Sequence, residues 1–297
     1  MSKFPVAGPR LEFIPPQVPT LVDQPPEGDG WIHEVKFDGY RSQIILKHGR
    51  ARIFTRRGHD WTAKYGPLAK AAAELPTDTA IIDGEVIVTN DDGISDFSAL
   101  RSAIVNAPER LVFVTFDLLH LNGHDLRQMT LMERRHMLEE IVEPAEGPIQ
   151  FSHTLDASAS AVFRAVEKMG LEGTVSKRID SRYHSGPSRE WLKAKCYEES
   201  EFDLLGVRRE RGKPATALMA ERNGKRQYAG SAFVKVNRDF RQRLWDRVKQ
   251  KAAPAPKGIA VDKTGVEWVK PGLVGRVRYM RGEEVLRHAT LEEVHEE

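Results

Sequence analysis

The chain of 297 residues contains a single cysteine, Cys196, and no run of apolar residues long enough to cross a bilayer. One cysteine excludes a disulfide within the chain and a zinc site built from several thiolates, and it is typical of a reducing compartment. The first thirty residues also lack the basic segment and apolar core of a secretory signal. These absences predict a cytoplasmic protein without membrane contact.

A strong charge of one sign is also absent from the whole chain, but the charge is unevenly distributed. Lysine and arginine number 45 against 43 aspartates and glutamates, which gives a net charge of +2. Residues 201–297 carry 21 basic against 14 acidic side chains, whereas residues 1–200 carry 24 against 29. A basic segment is expected of a surface that lies on phosphates, although a solvated charged surface gives the same composition.

The pattern along the chain predicts two domains, residues 1–198 and 199–297. Residues 1–30 hold seven of the 17 prolines, so we expect an extended lead-in rather than a helix. Alternating segments on both sides of His48-Gly49 predict a β-hairpin. A β-branched run is interrupted at Asp83-Gly84-Glu85, where we expect the acids to face a cleft. Helices are predicted at residues 64–75, 97–105, 131–142 and 158–169.

The composition changes after Cys196, where short strands with turns between them replace the longer apolar runs. Five strands with one intervening helix match a small Greek-key barrel of the OB type. The predicted fold class is therefore α+β, with antiparallel sheets and flanking helices followed by an all-β OB-fold barrel. The strands are predicted at residues 202–209, 215–222, 226–231, 266–270 and 274–280, and the helix at 237–250.

Residues 33–41, HEVKFDGYR, place Lys36 between an apolar strand and a glycine turn. A lysine amine attacks phosphorus only when it is neutral, and a neighbouring cation or bound metal favours the neutral form. Lys36 is therefore a candidate nucleophile, with Asp38 as a candidate metal ligand and Arg41 as a candidate partner of a phosphate or ribose. A solvated lysine paired with Asp38 beside an ordinary turn is the alternative that this segment alone leaves open.

Five further motifs follow in order: TRRG at 55–58, IIDGE at 81–85, FDLL at 116–119, LEGTVSKR at 171–178 and WLKAK at 191–195. The ordered set resembles the nucleotidyltransferase motifs of ATP-dependent DNA ligases, and most closely the ligase module of bacterial non-homologous end-joining DNA ligases. The resemblance covers most of residues 10–280. It implies an ATP-grasp-like adenylation domain in residues 1–198 and a protein of the bacterial cytosol and nucleoid.

The resemblance also implies a role for each matching residue. Lys36 resembles the lysine that takes AMP as a phosphoramidate, Phe116 the aromatic residue that stacks on adenine, and Glu34 an adenine contact. Lysines at alternate strand positions share one face, and Lys193 and Lys195 resemble the cations that hold the α-phosphate and pyrophosphate. The implied nucleotide-binding residues are Glu34, Val35, Arg41, Arg56, Glu85, Phe116, Lys177, Trp191, Lys193 and Lys195. The implied metal ligands are Asp38, Glu85 and Glu172.

The implied cofactors are ATP and Mg²⁺, with Mn²⁺ as an alternative ion, and the implied substrate is nicked or broken duplex DNA. AMP would pass from Lys36 to a DNA 5′-phosphate and leave when a 3′-hydroxyl attacks. We expect a monomer. We also expect end processing to depend on other chains, because no polymerase or phosphoesterase segment is found. The DNA-binding candidates lie on the basic helix and are Arg238, Arg241, Arg243, Arg247 and Lys249.

Two other functions remain open on the sequence. An RNA ligase or a capping-type guanylyltransferase would use the same lysine motif, and these residues do not reveal the base. A non-catalytic nucleic-acid-binding protein derived from a ligase is the second alternative. The matching lysines and acids of the site argue against it, because a binding module does not need them.

One family motif departs from the pattern. Ligases of this type usually carry an arginine two residues before an aspartate on the OB domain, where the pair closes over ATP and orients pyrophosphate. His295 and Glu297 stand at those places in this chain. We expect a slower first step, lysine adenylylation, with Lys263, Lys270 and Arg287 as candidates for supplying the missing charge.

Restoring the motif by His295→Arg and Glu297→Asp should speed the reaction with ATP. An arginine contact to a polyphosphate is worth about 1.5–3 kcal/mol, which corresponds to a roughly ten- to hundredfold change in rate. Single-turnover kinetics should show that the natural chain seals pre-adenylylated nicks faster than ordinary nicks with ATP, and that the double substitution narrows this gap. Equal rates on both substrates in the natural chain would contradict the expectation.

Overall fold

A computed structural model describes residues 11–145, 147–222, 227–256, 259, 264–280, 286 and 289–297. The chain divides into two compact units, Met1–Lys195 and Cys196–Glu297. The division falls close to the boundary predicted at residue 198. Lys263 and Arg287 lie outside the described residues. Within the described ranges, no helix combines the length and the apolar character needed to cross a membrane.

The first unit contains two sheets with helices beside them. One sheet has the strand order β4-β3-β5-β6-β7 with β8 beside β6, and the other has the order β1-β10-β9-β2. The elements described in this unit are β1 (Gln17–Val22), β2 (Trp31–Val35), β3 (Tyr40–Lys47), β4 (Arg50–Thr55), α1 (Gly66–Ala73), β5 (Thr79–Ile87), α2 (Phe97–Asn106), β6 (Val112–Leu121), β7 (His124–Asp125), α3 (Leu131–Val142), β8 (Ile149–Phe151), α4 (Ala159–Lys168), β9 (Gly173–Arg178) and β10 (Gly186–Lys195).

Local sequence explains several of these elements. The hairpin of β3 and β4 turns at His48 and Gly49, which both have positive φ, as a two-residue hairpin turn requires. Helix α3 starts with a capping box, in which Thr130 and Glu133 each accept a hydrogen bond from the other's backbone. The largest apolar core lies under the six-stranded sheet, where Ile44, Ile82 and Phe113 are fully buried.

Three expectations for the first unit need correction. Strand β5 runs without a break through Asp83-Gly84-Glu85, and only its register shifts there. Asp83 is buried rather than exposed to a cleft, because it is paired with Arg41. The sheets are not purely antiparallel, since β1 pairs with β10 and β8 with β6 in parallel. Residues 1–10 of the proline-rich lead-in lie outside the described residues; residues 11–30 contain no helix, as predicted, and part of them, β1, is a sheet strand.

The second unit is built mainly of strands, with one described helix. Its elements are β11 (Tyr197–Arg208), β12 (Thr216–Ala220), β13 (Tyr228–Val234), α5 (Arg238–Gln250), β14 (Val266–Trp268), β15 (Leu273–Met280) and β16 (Thr290–Glu296). The strand order is β12-β13-β16-β15-β11-β14, and β11 also pairs with β12, so the path of pairings returns to its start. Helix α5 buries Phe240, Leu244 and Val248.

Strand β16 was missed by the sequence pattern. Its sequence, TLEEVHE, contains three glutamates, and only Leu291 is fully buried. The strand forms because it pairs along β15 and, at its start, with β13, so neighbouring strands rather than its own composition decide its conformation.

Candidate active site

A cleft of about 780 Å³ opens in the first unit between side chains of its two sheets. This volume is within the range of about 300–1,000 Å³ that is usual for small-molecule sites. Ten of the sequence-predicted residues line it: Glu34, Val35, Lys36, Arg41, Arg56, Glu85, Phe116, Lys177, Trp191 and Lys193. Asp38, Glu172 and Lys195 do not line it, although Glu172 contacts Lys36 and Lys195 contacts Glu172.

One face of the four-stranded sheet carries most of the charged side chains. Alternate residues of a strand share a face, so Glu34 and Lys36 project from the same side of β2 and its continuation. The pairing of β2, β9 and β10 sets Glu34 beside Val175, and Val175 beside Lys193. The same pairing sets Lys177 beside Trp191. Residues far apart in sequence are thus gathered on one surface.

Gly173 allows the three strands to meet at this point. The Lys36 amide donates to the Gly173 carbonyl at 2.8 Å, which extends the ladder beyond β2. Gly173 has φ +150°, and a Cβ atom there would lie 2.1 Å from the Ala194 carbonyl oxygen. Any other residue would clash with β10, which explains a glycine after Glu172.

The Lys36 ammonium pairs with Glu172, which also accepts from a second lysine. One Glu172 oxygen contacts Lys36 Nζ, and the other lies 3.5 Å from Lys195 Nζ. Burial, followed by the charges of Lys195, Lys36 and Arg56, lowers the pKa of Lys193. Burial also lowers the pKa of Lys195, with Glu172 opposing and Lys36 adding to the shift. Cations therefore outnumber acids here, and the site favours an anion.

Glu34 lies at the other end of this face, in a buried polar cluster. Both its oxygens are 2.9 Å from Lys177 Nζ, and Oε1 also accepts from Arg135 at 2.7 Å. Ser152 Oγ donates to Oε2 at 3.0 Å. The Lys177 ammonium lies 4.4 Å from the ring centres of both Phe116 and Trp191. Burial lowers the pKa of Lys177 to about 8, although Glu34 opposes the shift.

Arg41 belongs to a closed hydrogen-bond network. Its Nε and Nη2 donate to the two Asp83 oxygens at 3.1 and 2.7 Å, and its Nη1 donates to the Gln17 carbonyl at 2.6 Å. Tyr183 OH donates to Asp83 at 2.7 Å and accepts from the Gln17 amide at 3.0 Å. Strand β1 and both sheets therefore hold the guanidinium in place. The guanidinium carbon lies 5.2 Å from the Phe116 ring centre and 5.5 Å from the Trp191 ring centre.

Sequence patterns did not reveal the residues that support this site. Gln17, Asp83, Arg135, Ser152 and Tyr183 lie on five different segments, and only the fold brings them together. The IIDGE motif includes Asp83, but spacing alone does not show which side chains will pair.

Glu85 is the carboxylate that best fits a metal ion. Within the described part of the chain, its side chain makes no hydrogen bond or ion pair. Burial raises the pKa of Glu85 to about 8, with Lys36 and Arg41 opposing and Glu172 adding to the shift. A divalent cation would remove this cost, and hard cations such as Mg²⁺ prefer carboxylate oxygen. Asp38 lies near Lys195, whose pKa it raises slightly against the effect of burial.

The five predicted DNA-binding residues of the second unit fall into two groups. Arg241 donates to the carbonyls of Lys235 and Val234 at 3.1 and 3.3 Å, and Arg247 donates to the Val294 carbonyl. These two side chains fasten α5 to the strands. Arg238, Arg243 and Lys249 are exposed and pair with no other residue in the described ranges.

The residues at the altered terminal motif belong to an ion cluster. His295 Nε2 lies 3.5 Å from a Glu201 oxygen, and Glu297 accepts from Arg222 at 2.5 Å. Arg222 also lies 3.3 Å from Glu201. An arginine is therefore present beside Glu297, but it comes from the segment after β12.

Comparison with known proteins identifies relatives of both the sequence and the fold. Residues 17–195 match the family described as ATP dependent DNA ligase domain. The multifunctional non-homologous end joining protein LigD of Pseudomonas aeruginosa is 36% identical over 285 residues, which cover 91% of this chain and 34% of that protein. The DNA repair protein LigD of Mycobacterium tuberculosis H37Rv is 31% identical over 84% of this chain and 34% of its own length. The chain thus spans about a third of these curated relatives.

Solved structures support the same relationship. A mycobacterial DNA ligase D complexed with ATP and MES has a TM-score of 0.58 and 27% identity, and the match covers 95% of this chain and 94% of that one. The ligase domain of M. tuberculosis LigD has a TM-score of 0.57 and 28% identity, covering 94% and 93%. These likenesses confirm the predicted fold class at the level of a nucleotidyltransferase-type ligase fold of sheets with few helices.

Replacing Lys177 should change how stability depends on pH. The pKa of Lys177 is about 8 in the folded chain against 10.5 as the ordinary value. Between these values the folded chain has lost a proton that the unfolded chain keeps, so the stability of the natural chain rises with pH. Lys177→Met has no such proton, and the guanidinium of Lys177→Arg keeps its charge throughout.

The melting temperatures of the three chains at pH 7, 8, 9 and 10 test this expectation. The natural chain should gain stability relative to both variants above pH 8. Differences in melting temperature between the natural chain and the variants that stay constant from pH 7 to pH 10 would show that Lys177 does not titrate in this range.

Proposed function

The chain belongs to the family of ATP-dependent DNA ligases, and we propose that it seals nicks or ends in duplex DNA through a lysyl-AMP intermediate on Lys36. One observation carries the assignment of this residue. The Lys36 amine lies at the cleft, on the same sheet face as Lys193 and Lys195, and Arg56 lines the same cleft. A nucleophile surrounded by cations is what attack on a polyphosphate requires.

In the first step Lys36 Nζ attacks the α-phosphorus of ATP. A phosphorus–nitrogen bond forms, the bond to the bridging oxygen of pyrophosphate breaks, and the oxygen leaves with its electron pair. The Lys36 amine attacks in its neutral form and loses a proton to water as the phosphorus–nitrogen bond forms. Lys193, Lys195 and Arg56 neutralise the phosphate oxygens, which is worth more in a cleft than in water.

The adenosine would occupy the part of the cleft lined by Phe116, Glu34 and Arg41. An aromatic face suits a purine, and a carboxylate suits an amino group on its edge. Arg41 is fixed by Asp83 and Gln17, so it can meet a ribose or phosphate oxygen without losing side-chain entropy on binding.

A divalent cation completes the charge balance in this proposal. Glu85 and Glu172 would hold it, with Asp38 as a further carboxylate, and the remaining ligands would be water and phosphate oxygens. Mg²⁺ held by these carboxylates would supply positive charge to the departing pyrophosphate. Glu172 currently pairs with two lysines, so it is available to a metal only when phosphates take over those cations.

The later steps use DNA as the second substrate. The 5′-phosphate of a break takes AMP from Lys36, and a neighbouring 3′-hydroxyl then displaces AMP to close the backbone. We assign the second unit to the OB type, because the pairings between neighbouring strands β11, β12, β13, β16 and β15 form a closed path. We also assign DNA binding to this unit. End joining is proposed from the LigD relatives. We also propose a monomeric state and end-processing proteins as partners.

Incubation with ATP should place a single AMP group on Lys36. Lys36→Ala should abolish the adduct, because no other lysine combines the turn motif with the Glu172 contact. Lys193→Ala should still form the adduct on Lys36 but more slowly, since it removes a cation and leaves the nucleophile. Mass spectrometry of the intact chain and its peptides measures both outcomes, and GTP in place of ATP tests the guanylyltransferase alternative.

An adduct that maps to Lys193 or Lys195, or that survives Lys36→Ala, would overturn this mechanism. A natural chain that forms no adduct with ATP would support the non-catalytic alternative.

The exposed cations of α5 should contribute to DNA binding, whereas the bonded ones should contribute to stability. Replacing Arg238, Arg243 and Lys249 together by glutamine should weaken binding to a nicked duplex at every sequence. Each lost phosphate contact should reduce the slope of log affinity against log salt by about 0.9. Arg241→Gln is the matched control, and it should lower the melting temperature because two carbonyls lose their donor. Affinity that hardly changes with salt would exclude a phosphate-dominated interface.

A further inference from the structure

Helix α3 places two consecutive arginines, Arg134 and Arg135, in the interior of the first unit. Both side chains are almost completely buried, with exposed fractions of 0% and 4%. Consecutive residues of a helix point about 100° apart, so the two guanidinium groups reach different partners. Arg134 donates to both oxygens of Asp117 at 2.7 and 2.9 Å, and also to the carbonyls of Met129 and Ser181.

Arg135 reaches the back of the cleft wall. Its Nη1 donates to Glu34 at 2.7 Å and to the Phe116 carbonyl at 3.3 Å, and its Nη2 donates to the Ser152 carbonyl at 2.6 Å. The guanidinium lies 4.6 Å from the ring centre of Phe151. Three separate segments, β2, β6 and the residue after β8, are thus held by one side chain.

The three residues to which Arg135 donates, Glu34, Phe116 and Ser152, line the cleft, whereas Arg135 does not. Arg135 therefore lies one layer behind the residues that a ligand would touch. The partners of Arg134 lie elsewhere, since neither Asp117 nor Met129 nor Ser181 lines the cleft. Two arginines of equal burial on one helix thus support different parts of the unit.

The charges around Glu34 indicate a specific role for Arg135. A buried carboxylate without a cation would take up a proton or pay a large desolvation cost. Glu34 has two cations, but Lys177 itself lines the cleft and its partners can change when a ligand enters. Arg135 does not line the cleft, so it holds the Glu34 carboxylate in position whatever Lys177 contacts.

We propose that Arg135 is a positioning residue for recognition of the nucleotide base. From behind the wall it fixes the Glu34 carboxylate and the Phe116 backbone, so that an adenine amino group and ring face meet preset partners. This inference rests on the proposed function, because it requires an adenine nucleotide in the cleft. Its predicted effect is on binding and base selection rather than on the bond-forming step.

Arg135→Lys, with Arg134→Lys as its matched control, tests the proposal. Lysine keeps the positive charge but lacks the planar fork that meets three acceptors at once. Both variants should melt at a lower temperature than the natural chain. In self-adenylylation, Arg135→Lys should raise KM for ATP at least about tenfold while kcat changes by less than about threefold. Arg134→Lys should leave KM within about twofold.

Base selection provides a readout that lost stability would not move. Inosine triphosphate carries a carbonyl where ATP carries an amino group, so it cannot donate to Glu34. The preference for ATP over inosine triphosphate should fall at least about fivefold in Arg135→Lys and stay unchanged in Arg134→Lys. Equal KM values and equal preferences in the two variants would overturn the proposal.

A milder variant covers the case in which Arg135→Lys does not fold. Phe151→Leu removes the aromatic face beside the guanidinium and leaves its donors in place. It should raise KM for ATP by about two- to fivefold and lower the preference for ATP over inosine triphosphate, as in Arg135→Lys. No change in either quantity would overturn the proposal. Adduct formation by the natural chain separates the two hypotheses: its absence refutes the proposed function, whereas its presence with unchanged selectivity in the variants refutes only the role of Arg135.

Discussion

The first unit depends on carboxylates that are buried between cations of different segments. A cleft with walls from two sheets needs polar groups at depth, and each such group must be paired because burial of a lone charge is costly. Ion pairs of this kind do not have to stabilise the fold to be useful, since losing either partner leaves an uncompensated charge. The pairs are Asp83 with Arg41, Asp117 with Arg134, Glu34 with Arg135 and Lys177, and Glu172 with Lys36 and Lys195.

These pairs differ in whether their side chains are bonded away from the cleft or shared among charges beside Lys36. This difference separates the pairs that support the fold from those at the proposed reaction site. Asp117 and Arg134 are fully buried and do not line the cleft, so they serve the fold. Glu172 is shared by two lysines, and the charges of Lys195, Lys36 and Arg56 add to the effect of burial in lowering the pKa of Lys193. The excess positive charge is therefore concentrated where Lys36 lies. An anion bound there relieves repulsion within the protein, which contributes to its affinity.

Sequence patterns predicted what depends on neighbours along the chain. The turn at His48-Gly49, the start of α3 at Leu131 and the shared face of Lys193 and Lys195 follow from local conformation and strand alternation. Strand β16 and the burial of Asp83 were not predictable in this way, because pairing with β15 and with Arg41 decides them. For the same reason the family resemblance predicted Glu34 as a nucleotide-binding residue, and Glu34 lines the cleft, but nothing in the sequence pointed to Arg135, which lies 101 positions away.

The contact between Lys36 and Glu172 links charge balance to the order of events at the site. An ammonium paired with a carboxylate is a poor nucleophile, because its lone pair is protonated and the acid stabilises that form. In the proposed reaction, the negative oxygens of a triphosphate would approach Lys193 and Lys195, and a metal ion held beside it would compete with Lys36 for the oxygens of Glu172. Both exchanges would weaken the contact between Glu172 and Lys36. The proposal therefore ties release of the nucleophile from Glu172 to the presence of the reacting phosphate.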